Sequence, residues 1–164
     1  MTFRIKNKNI KKRYNYMSTH ELLYKAIKIA TKAHKKQTDK YDAPYLGHVF
    51  RVMNAGKTID EKIVGVLHDV VEDNPEFPLE FLREKGFPEH ILEAVECLTK
   101  REEEHIDYDA FVARIEKSPL AVAVKLNDLR DNMDLTRCTT LLEEKDLKRF
   151  NKYLKAYLYL IEKY

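Results

Sequence analysis

The densest chemistry in this chain is the run Leu67-His68-Asp69-Val70-Val71-Glu72-Asp73. Four of these seven residues are ionisable, yet they continue the segment KIVGV, which is apolar on most sides and reads as a buried helix. Burying unpaired charge costs several kcal/mol, so such a cluster requires a cation or a water-filled cleft. On a helix, His68 and Glu72 stand at i and i+4, as do Asp69 and Asp73, and both pairs project along adjacent rows. Imidazole beside carboxylate is a donor set suited to Mn²⁺, Fe²⁺ or Zn²⁺. A merely solvated helix end is the weaker account, because acids there oppose the helix dipole.

Two distant segments add to this. Pro44-Tyr45-Leu46-Gly47-His48 places a histidine at the start of a helix, just after a turn. Ala121-Val122-Ala123-Val124-Lys125-Leu126-Asn127-Asp128 then carries charge onto a helix whose preceding turns are apolar, with Asn132 one turn beyond Asp128. An inward-facing Asp needs a partner, and a metal held by His68 and Asp69 supplies one.

Taken in order, the blocks Ala33-His34, Pro44-Tyr45 to His48, His68-Asp69 to Glu72-Asp73, and Val124-Lys125-Leu126-Asn127-Asp128 to Asn132 resemble the HD-domain phosphohydrolases. Within them the chain is most similar to the hydrolase domain of the RelA/SpoT alarmone enzymes and their small stand-alone relatives, over residues 20 to 138 approximately. The resemblance implies one divalent ion held by His48, His68, Asp69 and Asp128. Manganese is the first expectation, with zinc, iron, cobalt or nickel as alternatives. It implies that Glu72 and Asp73 orient or activate the attacking water, and that Asn132, Lys40 and Lys125 contact substrate. His34 matches the pattern as a buried packing residue, not a ligand.

The implied activity is metal-dependent hydrolysis of a nucleotide phosphate or pyrophosphate ester, in the manner of a guanosine tetra- or pentaphosphate pyrophosphohydrolase. The chain also departs from the pattern. Where the family carries several basic residues it has Thr38-Asp39-Lys40, with Lys40 the one cation, and the block Asp128-Leu129-Arg130-Asp131-Asn132 moves an arginine to Arg130. Those departures keep two alternatives open: a non-catalytic, metal-containing nucleotide-binding module, and a hydrolase of nucleoside monophosphates. Lys100, Arg101 and Arg137 are further candidates for phosphate contacts.

Helical signals follow one another with short breaks, and no strand pattern appears. Ser18 to Glu21 forms a capping box opening a helix to about Gln37, and Pro44 suits the first turn of a second helix through about Ala55. Thr58 to Glu61 is another capping box, opening a continuous helix from about Asp60 to Asp73. Helices are expected over Leu79 to Lys85, Pro88 to Thr99, Asp107 to Lys117, Pro119 to Asp134 and Glu143 to Lys163. The last of these carries an apolar stripe of Leu147, Phe150, Tyr153, Leu154, Tyr157, Leu158 and Ile161, which either caps its own core or pairs with another chain as a homodimer. The acidic run near Arg101 to Asp107 reads as a solvated loop. The expected class is all-α: one helical bundle of about seven helices over residues 18–164.

Composition agrees with one domain. The chain has 164 residues, 44% hydrophobic and 35% charged, with few Gly and Pro, which excludes collagen-like and wholly disordered classes. With the whole chain at +3 and residues 1–17 contributing six cations and no acid, the remainder is net −3. That basic arm reads as a flexible leader, and no nucleic-acid motif accompanies it. No apolar run approaches the roughly 18 residues of a membrane span. Cys97 and Cys138 are too few for a disulfide framework and are expected to pack as small apolar groups, as suits a protein of the reducing cytoplasm.

Overall fold

A computed structural model describes residues 17–105 and 107–164 of the chain; the basic arm lies outside the described residues. The architecture is all-α, with no strand among the described residues. Its α-helices are α1 (Thr19–Ala33), α2 (Leu46–Ala55), α3 (Ile59–Leu67), α4 (Val70–Asp73), α5 (Leu79–Glu84), α6 (Glu89–Leu98), α7 (Tyr108–Ile115), α8 (Pro119–Asn132) and α9 (Glu144–Lys163). Omitting the single turn α4, eight helices are described against about seven expected. Among the described residues, no helix is long and apolar enough to cross a membrane.

The helix starts follow local chemistry. Ser18 and Glu21 complete their capping box, and Thr58 and Ser118 accept the N3 backbone N–H at the starts of α3 and α8. Pro119 occupies the first turn of α8, where a missing N–H costs nothing.

The middle of the bundle is α3 and α8. α3 packs against α1, α2, α6 and α8, while α8 also meets α7 and α9. Every residue of α8 from Ala121 to Leu129 is buried, Lys125, Asn127 and Asp128 included. Gly65 lets α2 and α3 approach closely: a Cβ there would lie 3.2 Å from the Met53 Cα. That contact sets the separation of the two helices that carry His48 and His68.

Four expectations are corrected. α1 ends at Ala33, not near Gln37, because His34 caps it and Gln37 instead accepts the Tyr45 N–H to close a loop. Pro44 belongs to that loop, bridged to Thr38, and α2 begins two residues later. The acidic run after Arg101 is not wholly solvated: it forms a 3₁₀ turn in which Glu104 is buried and paired with Arg114. On α9 the inward positions are Ala156 and Leu160, flanked by Tyr153 and Tyr157, whereas Leu147, Leu158 and Ile161 are exposed. Cys97 and Cys138 are free thiols, each half-buried.

Candidate metal centre

The expected continuous helix through His68 and Asp73 is broken. His68 Nδ1 lies 2.7 Å from the Gly65 carbonyl, the acceptor that the Asp69 N–H would use in an uninterrupted helix. A side-chain donor thus replaces a backbone donor, and α3 stops at Leu67. The chain turns at His68 and Asp69 and resumes as α4. His68 and Glu72 go to different partners across this turn, the Gly65 carbonyl and Lys100.

Because the Gly65 carbonyl can only accept, His68 carries its proton on Nδ1 and directs Nε2 inward. His48 is fixed in the same way from α2, its Nδ1 2.6 Å from Asp131 Oδ2. Asp131 is itself held by Arg51 and by Arg137 Nη1, the latter at 2.6 Å. Sequence reasoning missed Asp131 as a partner of His48. Its position three residues after Asp128 on α8 was the available signal, but only the packing of α8 on α2 gives it meaning.

The two Nε2 atoms then face each other at 3.3 Å. Asp69 Oδ2 is 2.9 Å from His68 Nε2 and 3.8 Å from His48 Nε2. Asp128 Oδ1 is 3.3 Å from His48 Nε2 and 3.8 Å from His68 Nε2. Two donors each 2.1 Å from one ion lie about 3.0 Å apart at right angles and about 3.4 Å apart at the tetrahedral angle. The observed separations fall around those values. His48, His68 and Asp69 form a group that could hold a metal ion; Asp128 stands beside that group, its Oδ1 near both histidines. The structure thus groups three of the four residues expected as ligands, from α2 and the α3–α4 turn, with Asp128 of α8 adjacent to the two histidines.

The electrostatics favour a cation there. Burial opposes charge on His48, yet its hydrogen bonds to Asp128 and Asp131 and the nearby Asp69 carry its pKa up to about 9. His68 is raised likewise, against complete burial, by Asp69 and Asp128. Burial also opposes charge on Asp69 and Asp128, but facing cations hold both carboxyls below their usual range: chiefly His68 for Asp69, and Lys125 with the two histidines for Asp128. A field that draws protons onto imidazoles draws a metal ion as well, with those protons released on binding.

Each carboxylate is anchored. Asp69 Oδ2 accepts from the Tyr45 hydroxyl, a contact the sequence did not reveal. Asp128 Oδ1 accepts from Asn132 Nδ2 at 2.6 Å, and Asp128 Oδ2 from Lys125 Nζ at 2.7 Å. Asn132 and Lys125, expected on substrate, are thus engaged with Asp128. Lys40 lies in a neighbouring depression with Tyr41 and Arg149, its ammonium over the Tyr41 ring. His34 is buried and bonded to Gln37 Oε1 through Nδ1 at 2.6 Å, in keeping with a packing role. Arg130 reaches the Tyr157 hydroxyl, and Arg137 joins Asp131 to Asp39.

Beside the cluster is an open cleft of about 210 Å³. Asp69 and Asp128 reach it, as do Glu72 and Asp73 from α4. The cations in it are Lys100, Lys125 and Lys152, and the rings are Tyr45, Tyr108 and Tyr153. Glu72 is fully engaged: Lys100 Nζ bonds Oε1 at 2.5 Å and the Lys100 N–H bonds Oε2 at 2.9 Å. Asp73 has one oxygen on Gln37 Nε2 at 2.7 Å. Burial, together with Asp69 and Glu72, raises the Asp73 carboxyl. No known protein-family model matches the chain.

Proposed function

We propose that this protein is an HD-type, metal-dependent phosphohydrolase that cleaves a phosphate or pyrophosphate ester of a nucleotide, with guanosine tetraphosphate as the first substrate to try. The observation that supports this best is the grouping of His48, His68 and Asp69, with Asp128 beside the histidines, at a cleft bearing further acids and lysines. Two imidazoles and two carboxylates suit manganese, which would leave coordination positions for water and a phosphoryl oxygen on a six-coordinate ion. Such an ion, once bound, supplies Lewis-acid polarisation and acidifies water.

The remaining chemistry belongs to the chain. Asp73 has a raised pKa and only one oxygen committed to Gln37, so it is the better proton acceptor of the α4 acids. Glu72 positions Lys100 at the cleft. Tyr45, Asn132 and Lys125 keep the two carboxylates aimed inward.

The test is an assay of the metal-stripped protein, reloaded separately with each divalent ion, on a panel of phosphorylated nucleotides that includes guanosine tetraphosphate and nucleoside monophosphates. Metal-stimulated release of phosphate or pyrophosphate is expected. Asp73→Asn should lower turnover by roughly 10²–10⁴-fold, the share of general base catalysis, while binding manganese normally. No release from any member with any ion overturns the proposal. A non-catalytic nucleotide-binding module is the second reading, favoured by the occupation of both Glu72 oxygens by Lys100. It predicts nucleotide binding without turnover in the same panel.

A further inference from the structure

The cleft has a cation that no acid answers. Lys100 is paired with Glu72, and Lys125 with Asp128. Lys152, reaching in from α9, has no carboxylate at ion-pair distance among the described residues. Lys152 is exposed, and its ammonium sits 4.7 Å from the centre of the Tyr108 ring and 5.1 Å from that of Tyr153. Tyr108 packs on Phe111, whose ring face carries Lys100 and Lys125, each 5.2 Å from its centre. Three ammonium groups therefore lie along one run of touching rings.

A second, independent feature points the same way. The Tyr108 hydroxyl is buried and has no hydrogen-bond partner among the described residues, though Tyr108 lines the cleft. A hydroxyl withdrawn from water without a partner is costly, and a ligand oxygen that accepts from it removes the cost. Burial pushes the Tyr108 phenol up to about 12, so it stays a neutral donor near neutral pH. Lys152 is lowered by burial and by its cationic neighbours Lys100, Lys125 and Arg149, as befits a cation held among like charges.

Charge balance gives the ligand class. Summed over the cleft, Asp69, Glu72, Asp73 and Asp128 against Lys100, Lys125 and a divalent ion come to zero, and Lys152 is the surplus. We propose that Lys152, with the Tyr108 hydroxyl, receives a second anionic phosphate group of the substrate, one not held by the metal. The terminal helix thereby takes part in selecting diphosphate-bearing ligands over monophosphates. This inference rests on the phosphohydrolase reading of the metal centre.

The experiment is calorimetric and needs no turnover. Manganese-loaded protein is titrated with methylenediphosphonate, a non-hydrolysable diphosphate, and separately with inorganic phosphate. Lys152→Gln should weaken the diphosphonate by about tenfold, the order of one charge-assisted contact at a solvent-open rim. Phosphate should change much less and manganese affinity not at all. Lys152→Arg should restore the diphosphonate affinity, and Tyr108→Phe should weaken it in part, which a purely structural role of α9 does not predict. Equal diphosphonate affinity in wild type and Lys152→Gln overturns the inference, as does failure of the manganese-loaded wild type to bind diphosphonate. Lys152-dependent binding with no hydrolysis of any nucleotide would instead support the inference while overturning the phosphohydrolase reading.

Discussion

Two buried charged clusters in this molecule are built on opposite plans. Around Glu104, one carboxylate meets one guanidinium: Arg114 Nε and Nη2 each bond a Glu104 oxygen at 2.7 Å, and Nη2 and Nη1 reach the carbonyls of Thr99 and Glu96. Charge closes within the pair, and backbone groups of Glu96, Thr99 and Arg101 take up the remaining hydrogen bonds. Around His48 and His68, imidazole nitrogens and carboxylate oxygens converge on one point while their other atoms are pinned from behind. The first arrangement joins the 3₁₀ turn to α7 and leaves nothing to react. The second leaves a group of donors that could hold a metal ion. Burial of charge thus has two meanings, and the count of protein donors and acceptors tells them apart.

The largest expected effects come from removing one member of each cluster. Arg114→Ala leaves Glu104 buried and unpaired, and should cost about 3–5 kcal/mol of unfolding free energy with manganese affinity unchanged. Asp69→Ala should abolish manganese binding while destabilising the metal-free protein less than Arg114→Ala does. Denaturant unfolding beside metal calorimetry measures both. If the two variants lose stability and metal together, the clusters are not distinct and the comparison fails.

A smaller effect tests the pinning. Asp131→Asn keeps the shape of the group behind His48 but weakens its hold on Nδ1, and should reduce manganese affinity by roughly 10–100-fold without abolishing it. Affinity equal to wild type would show that α2 alone orients His48.

The smallest effect is the pH dependence of the closed pair. Arg114 hydrogen bonds, against burial and with help from the Arg101 N–H, hold Glu104 down to about 2, from an ordinary value of 4.5. The folded pKa is depressed, so the pair's contribution is fully present above pH 4.5 and disappears as pH falls toward 2. Only about 0.4 kcal/mol should be gone at pH 4.5, with steeper loss below it. The unfolding free energies of wild type and Glu104→Gln, measured from pH 6 to pH 3, should converge on acidification. A constant gap would mean that the Glu104 carboxyl titrates alike in the folded and unfolded chain, so that Arg114 does not hold it down.

The sequence by itself determined the helices and the donor set. The capping box at Ser18, the N-cap at Thr58, Pro119 at a first turn, and helical apolar spacing are local signals, legible because each acts within a few residues. The four residues expected at a metal came from the family resemblance of their ordered blocks, and three of them, His48, His68 and Asp69, form a group that could hold an ion. Tertiary structure alone decided how they meet. His68 takes the carbonyl that would have continued α3, Asp131 supports His48 across 83 residues of chain, and Lys100 reaches Glu72 across 28. Lys152 enters the cleft because α9 packs on α8 through Ala156 and Leu160, not through the outer residues of its apolar stripe. A residue's type fixes which atoms it can offer, but its partner is set by where the core places the neighbouring helix, and side-chain hydrogen bonds act only at that range.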